Sequence, residues 1–550
     1  MANFLLVSYA GYPYSPSSLC PDNGLAILAA VLQEAGHSVR ILDFGTVDTM
    51  ARLYPSEIAA QATPLFAELG AGGEPSESLV QELARVDQLL EQHQADELRA
   101  IAEDVASHVR QVDPAFVGFK LWNGDGYVGS VAIAETLKQR FPELPLVAGG
   151  PHATWLAPEI MRRTQVFEAV VRGEGEDKIL AIAQSAVNGE PVSGGPGIMV
   201  DAENETVPTS FVRLDDMPRA VYDDDVYPAM VGDNKLKMII IDESRGCPNH
   251  CYFCMHSYES GRRLRTRSAT AVVDDMEAFM KAYGVRAFRF AGSSTPGSLM
   301  AEIAQEILDR GLQVRYSSFA HFRSSISDHF EMMQQSGLYS MFFGLESGSD
   351  DLLKRAAGKP HKLEDVRDTV AAAKAAGIKV VCSMIVPLPF ETQETLAQSV
   401  ALIQDMQPDS VPVQFPGLLP GSQWFATPER FGFEVDKRAY LEQNLDYKFK
   451  LMFPPKFWKA LPYKLGGMQF HEFTQITADF VAQLEGLGTL TGVTDEYMLM
   501  AHLAGLEPRQ LRDQGRMWFS LGDSDAVQSF VTAYNRGAQT LPEPIAETAQ

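Results

Sequence analysis

Arg245-Gly246-Cys247-Pro248-Asn249-His250-Cys251-Tyr252-Phe253-Cys254 is the stretch on which the fold turns. Three of the chain's five cysteines fall inside it, spaced C-x3-C-x2-C. Met238-Ile239-Ile240-Ile241 leads into it and reads as a buried strand, so the thiols ride a loop at a strand's end. Thiolates this close can converge on one soft metal centre. A structural zinc site takes four ligands, and only His250 and His256 stand nearby to complete one. A [4Fe-4S] cluster has four irons and takes cysteine thiolates. Three thiolates leave one iron open to an external ligand. The cluster is the preferred reading and a degenerate zinc loop the alternative.

Downstream, strands are expected at 238–243, 287–291, 313–318, 340–345, 379–386 and 410–415. Helices are expected between them at 268–283, 297–310, 325–336, 349–357, 362–376 and 391–406. Six such units suit a partial barrel, whose chemistry sits on the loops after the strands. The loop after the second strand holds Gly292 and Ser293, and Arg323 follows the third. The fourth ends Gly344-Leu345-Glu346-Ser347-Gly348-Ser349, and the fifth passes through Cys382 and Ile385. A carboxylate such as Glu346 can accept two hydrogen bonds from ribose hydroxyls. Ser347 or Ser349 also suits a helix N-cap. Arg323 can grip a carboxylate with its fork or make only a surface ion pair. Cys382 reads as a small buried hydrophobe, and Cys20 as a structural loop thiol.

Upstream, residues 4–9 form a strand, Leu25 to Ala35 a helix, and Val39 to Asp43 a second strand. That is one βαβ unit and implies a parallel sheet. Residues 50–110 read as a helical insertion. Later strands end in Trp122-Asn123-Gly124, Gly149-Gly150-Pro151-His152-Ala153-Thr154 and Gly173-Glu174-Gly175-Glu176. Glycine-rich loops at strand C-termini mark the ligand edge of such a sheet and allow close backbone approach. No G-x-G-x-x-G follows the first strand, so a dinucleotide is not favoured.

The cysteine spacing, with Phe253 before the third cysteine, resembles the signature of radical S-adenosylmethionine (SAM) enzymes. Pro21-x-x-Gly24-Leu25-Ala26, the Gly149–Thr154 loop and Val171-x-Gly173-Glu174-Gly175-Glu176 resemble the N-terminal domain of cobalamin-binding radical SAM proteins. That group includes radical methyltransferases and the anaerobic magnesium-protoporphyrin cyclase. The resemblance implies an α/β chain. A Rossmann-like cobalamin-binding domain fills 1–190, a linker 191–235, and a partial (β/α)6 TIM-type radical SAM barrel 236–430. A mostly helical region, 431–550, would cap the barrel and shape a substrate pocket. A hairpin near 197–213, an aromatic-anchored turn at 453–458 and a disordered tail after Thr540 are also expected.

The resemblance implies roles as well. Cys247, Cys251 and Cys254 would ligate the [4Fe-4S] cluster, and SAM would chelate its open iron. Phe253, Gly292, Ser293, Arg323, Glu346, Ser347 and Ile385 would contact SAM. Ser8, Tyr9, Asn23, Gly24, Trp122, Asn123, Gly124, Gly149, Gly150, Pro151, His152, Gly173, Glu174 and Gly175 would hold cobalamin. Many cobalamin domains carry D-x-H-x-x-G; here Asp43-Phe44-Gly45 lacks the histidine. Cobalt without a protein imidazole is implied, with Trp122 and Asn123 shielding its lower face and His152 serving as a loop hydrogen-bonding residue.

The implied reaction begins with a 5′-deoxyadenosyl radical that abstracts a substrate hydrogen. Methylcobalamin then delivers a methyl group to carbon, and a second SAM restores it. No side-chain acid or base is demanded. Ring closure, oxidation or rearrangement without methyl transfer is one alternative, and a non-catalytic corrinoid or cluster sensor another. A small-molecule or peptide substrate and an electron donor such as flavodoxin or ferredoxin are the implied partners.

Composition bounds the rest. A net charge of −25 over 550 residues argues against a general nucleic-acid or anionic-membrane binder. Arg262, Arg263, Arg265 and Arg267 form a local basic run, either a solvated turn or an anion contact. No run of about 18 apolar residues predicts a transmembrane helix. The N-terminus has no signal-peptide pattern. A reducing cytoplasm suits the unpaired thiols.

Overall fold

The computed structural model describes residues 1–70, 76–203, 211–256, 260–359, 361–448 and 457–541. Two six-stranded sheets dominate it. The first runs β2-β1-β3-β4-β5-β6, from β1 (Asn3–Ser8), β2 (Ser38–Asp43), β3 (Val117–Lys120), β4 (Leu146–Gly149), β5 (Ala169–Val171) and β6 (Ile198–Met199). The first five strands are parallel, because each pair is joined through a helix. The order reverses at β1. Doubly wound sheets bind ligands at such a switch point, outside the strand C-termini. Helix α1 (Asn23–Glu34) opens there, capped by the Asp22 carboxylate, which accepts from Leu25 N at 3.0 Å. The described part of 50–110 is mainly helical as expected, in α2 (Val47–Leu53), α3 (Ser56–Gly70) and α4 (Glu77–Val112).

The second sheet is an open, wholly parallel half-barrel. Its order is β14-β13-β12-β11-β10-β7. The strands are β7 (Ile239–Ile241), β10 (Ala287–Phe290), β11 (Arg315–Ala320), β12 (Leu338–Glu346), β13 (Lys379–Ile385) and β14 (Val413–Gln414). Among the described residues β14 pairs only with β13, so the barrel does not close. A small ribbon, β8 (Ser244–Arg245) antiparallel to β9 (Arg265–Thr266), closes the base of the cysteine loop.

The segment expected as a linker is built into the core. β6 pairs antiparallel with β5. Tyr222 and Tyr227 are buried and stack at 5.9 Å. Lys235, 1% exposed, reaches Asp43 at 2.8 Å, and Tyr227 donates to the same carboxylate at 2.5 Å. Asp43 is thus consumed by a buried ion pair, whose breakage would cost about 3–5 kcal/mol. Part of the hairpin expected near 197–213 lies outside the described residues, as do most of the 453–458 turn and the tail from 542.

The last helices do not sit where a cap over the barrel mouth would. Helix 495–504 packs against β11, β12 and β13 in the N-terminal halves of those strands. Ser340 Oγ donates to Asp495 O at 2.7 Å, and Arg289 reaches Glu496 at 2.8 Å. Helices 508–520 and 524–540 join the core of the first sheet, where Tyr12 donates to Phe519 O at 2.7 Å. This block ties the loop after β1 and the helix after β2 to the N-terminal halves of the barrel strands. The segment that does reach the mouth carries an aromatic cluster around Trp424, Phe431 and Tyr463.

Gly537 lets helix 524–540 lie against helix 495–504; a Cβ there would stand 1.8 Å from Leu503 O. Gly537→Ala should force the helices apart at about 1–3 kcal/mol, read as a lower urea midpoint with the fold retained.

Candidate functional site

The cysteine loop is stiffened from two sides. Trp424 N donates to Tyr252 O at 2.9 Å, and its indole Nε1 to Ala356 O at 2.9 Å. Tyr252 N donates to Ala357 O at 2.8 Å, and Phe253 packs on Trp424 at 5.7 Å. At its base Gly246 has φ +87°, and a Cβ there would meet Arg263 O at 2.0 Å.

Cys247 and Cys251 are buried and Cys254 half-buried; none of the three is in a disulfide. Burial pushes the Cys251 thiol up to about 11; Lys359 opposes this, while Cys254, Glu346 and Cys247 add to it. The three sulfurs therefore share one electrostatic neighbourhood. Among the described residues no three His, Cys, Asp or Glu side chains gather closely enough to hold one metal ion. A single zinc demands that convergence. A four-iron cluster seats its thiolates on different corners and does not. The donor set fits a cluster better than zinc.

Beside the thiols lies the end of β12. The β12–β13 register shifts between Gly344 and Glu346, and Glu346 adopts φ +69°. A non-glycine residue held there costs about 1–3 kcal/mol, a strain that clusters at ligand sites. Its carboxylate, 5% exposed, reaches Lys359 Nζ at 3.2 Å, and Lys359 also donates to Gly344 O at 2.9 Å. Burial raises the Glu346 pKa, with Lys359 opposing. Ser347 is buried and accepts from Ser349 N at 3.1 Å, so it shapes the turn. Ile385 ends β13 and packs with Trp424 and Leu352. Arg323 is exposed, and its backbone N–H donates to His321 Nδ1 at 3.2 Å.

Gly292 has an internal reason to be glycine. Its N–H donates to Glu243 Oε2 at 3.1 Å, and a Cβ would stand 2.0 Å from Glu243 Oε1. Glu243 is fully buried and also accepts from Ser244 Oγ at 2.8 Å and Thr295 Oγ1 at 2.7 Å. Ser293, in contrast, lines a cavity of about 520 Å³.

That cavity is bounded by both sheets. From the first come Asn23 and Gly24, Gly149, Gly150 and Pro151, and Gly173, Glu174 and Gly175. From the second come Asp242, Ser244, Arg245, Arg265, Ala291 and Ser293. Seven glycines on its wall leave room that side chains would fill, which suits a large flat ligand. Lys120 lines it too, fixed by Asp22 at 2.6 Å and lying 4.6 Å from the Trp122 ring.

Six expected cobalamin contacts lie outside this wall. Ser8 is buried and accepts from Trp122 Nε1 at 3.5 Å. The Tyr9 ring fills the space over Gly129. Asn123 N donates to His152 Nδ1 at 2.8 Å, its side chain reaches Asn444 at 3.1 Å, and Trp122 meets the His152 ring edge-on at 5.5 Å. Gly124 N donates to Leu445 O at 2.8 Å, and a Cβ at Gly124 would collide with Tyr447 O. These groups knit the loop after β3 to residues 444–447.

Glycine patterns found the cavity's turns. Lys120, Glu243, Lys359 and the neighbouring buried His321 and His361 were missed, because no local motif marks them. The basic run divides: Arg265 and Arg267 pair with Glu174 and Asp275, while Arg262 and Arg263 are exposed.

Residues 243–403 match the model of the Radical SAM superfamily, and residues 80–183 that of the B12 binding domain. The chain is a radical SAM protein with a B12-binding domain. Those domains define its cofactors as a [4Fe-4S] cluster with SAM, and cobalamin. An uncharacterized methyltransferase of Pyrococcus horikoshii is 26% identical over 345 residues, 60% of this chain and 74% of that one. The anaerobic magnesium-protoporphyrin IX monomethyl ester cyclase of Rubrivivax gelatinosus is 26% identical over 288 residues, 50% and 51% of the two chains. The radical SAM methyltransferase TsrM of Kitasatospora setae, solved with cobalamin and a [4Fe-4S] cluster, shares the fold. Its TM-score is 0.64 at 16% identity, covering 96% of this chain and 100% of that one. No helix among the described residues is long and apolar enough to cross a membrane.

Two outcomes are expected. Replacing Cys247, Cys251 and Cys254 together by Ala should remove cluster iron, read by iron analysis and the loss of broad visible absorption after reconstitution. His152 supplies a pH dependence. Burial, helped by Lys120, lowers its pKa to about 4, below the unfolded value of about 6.5. The unfolded chain therefore binds more protons, and this contribution to stability is complete above about pH 6.5 and lost as the pH falls towards about 4. His152→Asn should flatten the fall in urea midpoint between about pH 7 and pH 5.

Proposed function

We propose that this chain is a cobalamin-dependent radical SAM methyltransferase that places a methyl group on an unactivated carbon. One observation carries the reading: a single cavity is walled by the glycine turns of the B12-type sheet and by the strand ends beside the cysteine loop. A methyl donor held there lies next to the radical source.

When bound, the groups supply one-electron cleavage of SAM and a transferable methyl. The chain's own residues do the rest. Cys247, Cys251 and Cys254 hold the cluster, and Trp424 with Tyr252 and Ala356 fixes their loop. Glu346, strained and pinned by Lys359, presents a carboxylate for ribose hydroxyls. The turns at Gly149–Pro151 and Gly173–Gly175 let the corrin approach the backbone. The aromatic cluster around Trp424 keeps water from the mouth. Thiols outside any disulfide fit a reducing cytoplasm, with a low-potential electron carrier as reductant.

The cyclase relatives support a second reading, radical ring closure or oxidation without methyl transfer. Products separate the two. With reconstituted cluster, hydroxocobalamin, reductant and a substrate drawn from neighbouring genes, methylation gives 5′-deoxyadenosine, S-adenosylhomocysteine and a product one methyl heavier. Substrate-dependent deoxyadenosine without homocysteine would sink the methyltransferase reading in favour of the second.

A further inference from the structure

Two arginines face each other across the ribbon that closes the cysteine loop. Arg245 of β8 pairs with Arg265 of β9, and the segment between them carries the three thiols. Like charges directly opposite on neighbouring strands destabilise the pairing. The ribbon has two residues a side, and a two-stranded ribbon alone is marginal in water.

Much of the compensating charge comes from the other domain. In the turn after β5, Glu176 reaches Arg245 at 2.7 Å, and Glu174 grips Arg265 with both carboxylate oxygens and lies 3.7 Å from Arg245. Asp242 holds Arg245 from the barrel side at 2.6 Å. Glu174 also accepts from Val212 N at 2.9 Å, and Arg265 donates to Val212 O at 2.7 Å. These four glutamate and arginine side chains are 10–20% exposed, and all line the interdomain cavity.

The geometry points to a linkage: Glu174 and Glu176 with Arg245 and Arg265 are positioning residues through which cobalamin in the cavity and the cluster on the cysteine loop stabilise each other. A corrinoid in the cavity displaces water from the ion pairs and strengthens them. A firmer ribbon holds Cys247, two residues from Arg245, where the cluster needs it. Such a coupling is reciprocal. The cluster-bearing protein therefore binds cobalamin more tightly, and the cobalamin-bound protein keeps its iron longer.

The test uses the full chain with its cluster reconstituted, and the same chain stripped of iron. Equilibrium dialysis against hydroxocobalamin should give an affinity on the order of 5- to 50-fold higher with the cluster present. Glu174→Gln with Glu176→Gln should bring the ratio to about 1. Arg245→Lys keeps the cation but loses the fork and should fall between. The reciprocal arm needs no variant: bound hydroxocobalamin should slow iron release to bathophenanthroline by a similar factor, so a misfolded double variant leaves the proposal open to refutation. Equal affinities in the two wild-type forms, or a ratio that survives the double substitution in a folded protein, overturns the linkage. The inference rests on the corrinoid reading of the cavity. Failure of the cluster-bearing protein to bind hydroxocobalamin overturns that reading, whereas equal binding overturns the linkage alone.

Discussion

The pairing of Arg245 and Arg265 with Glu174 and Glu176 is the constraint on which both ligand edges depend. Exposed ion pairs contribute about 0–1 kcal/mol, but these side chains are 10–20% exposed. Removing one member of a buried pair costs about 3–5 kcal/mol, because a charge is stranded. The contact therefore behaves as part of the fold. It also fixes relative position: the turn after β5 meets the ribbon that opens the cysteine loop. Two parallel sheets, each binding at its own C-terminal edge, are thereby held with those edges facing one cavity.

The other end of the chain makes that arrangement durable. Helices 495–504 and 524–540 bridge the segments after β1 and β2 to the barrel strands. Trp424 and its aromatic neighbours press on the cysteine loop from the mouth. Between these anchors the ligand loops can carry strain. Glu346 sits at φ +69°, and Phe390 at φ +67°. Phe390 is 39% exposed, with the Arg355 guanidinium 4.5 Å from its ring centre. A cation over an aromatic face offsets part of the strain, about 0.5–1 kcal/mol at an exposed site.

The elements legible in the sequence were those with a periodic or local signature. The six strands of the half-barrel fall where apolar runs alternate with helical repeats. The glycine turns after β4 and β5 stand on the cavity wall. Illegible were features set by partners far along the chain. Nothing around Asn123 and Gly124 announces residues 444–447, yet those contacts fix the loop after β3. The polar composition of 191–235 suggested a linker, but Tyr222, Tyr227 and Lys235 bury themselves against the first domain. Lys359 lies 13 residues beyond Glu346, and only folding brings the pair together.

Gly292 shows how such long-range pairing fixes a residue type at the end of the second barrel strand. A side chain at 292 and the Glu243 carboxylate cannot coexist, since a Cβ would lie 2.0 Å from Glu243 Oε1. Glu243 comes from the end of β7, beside β10. It is held by Thr295 Oγ1 at 2.7 Å, the Gly292 N–H at 3.1 Å and Ser244 Oγ at 2.8 Å. The carboxylate at this corner of the half-barrel comes from the neighbouring strand, and Gly292 leaves the space that admits it.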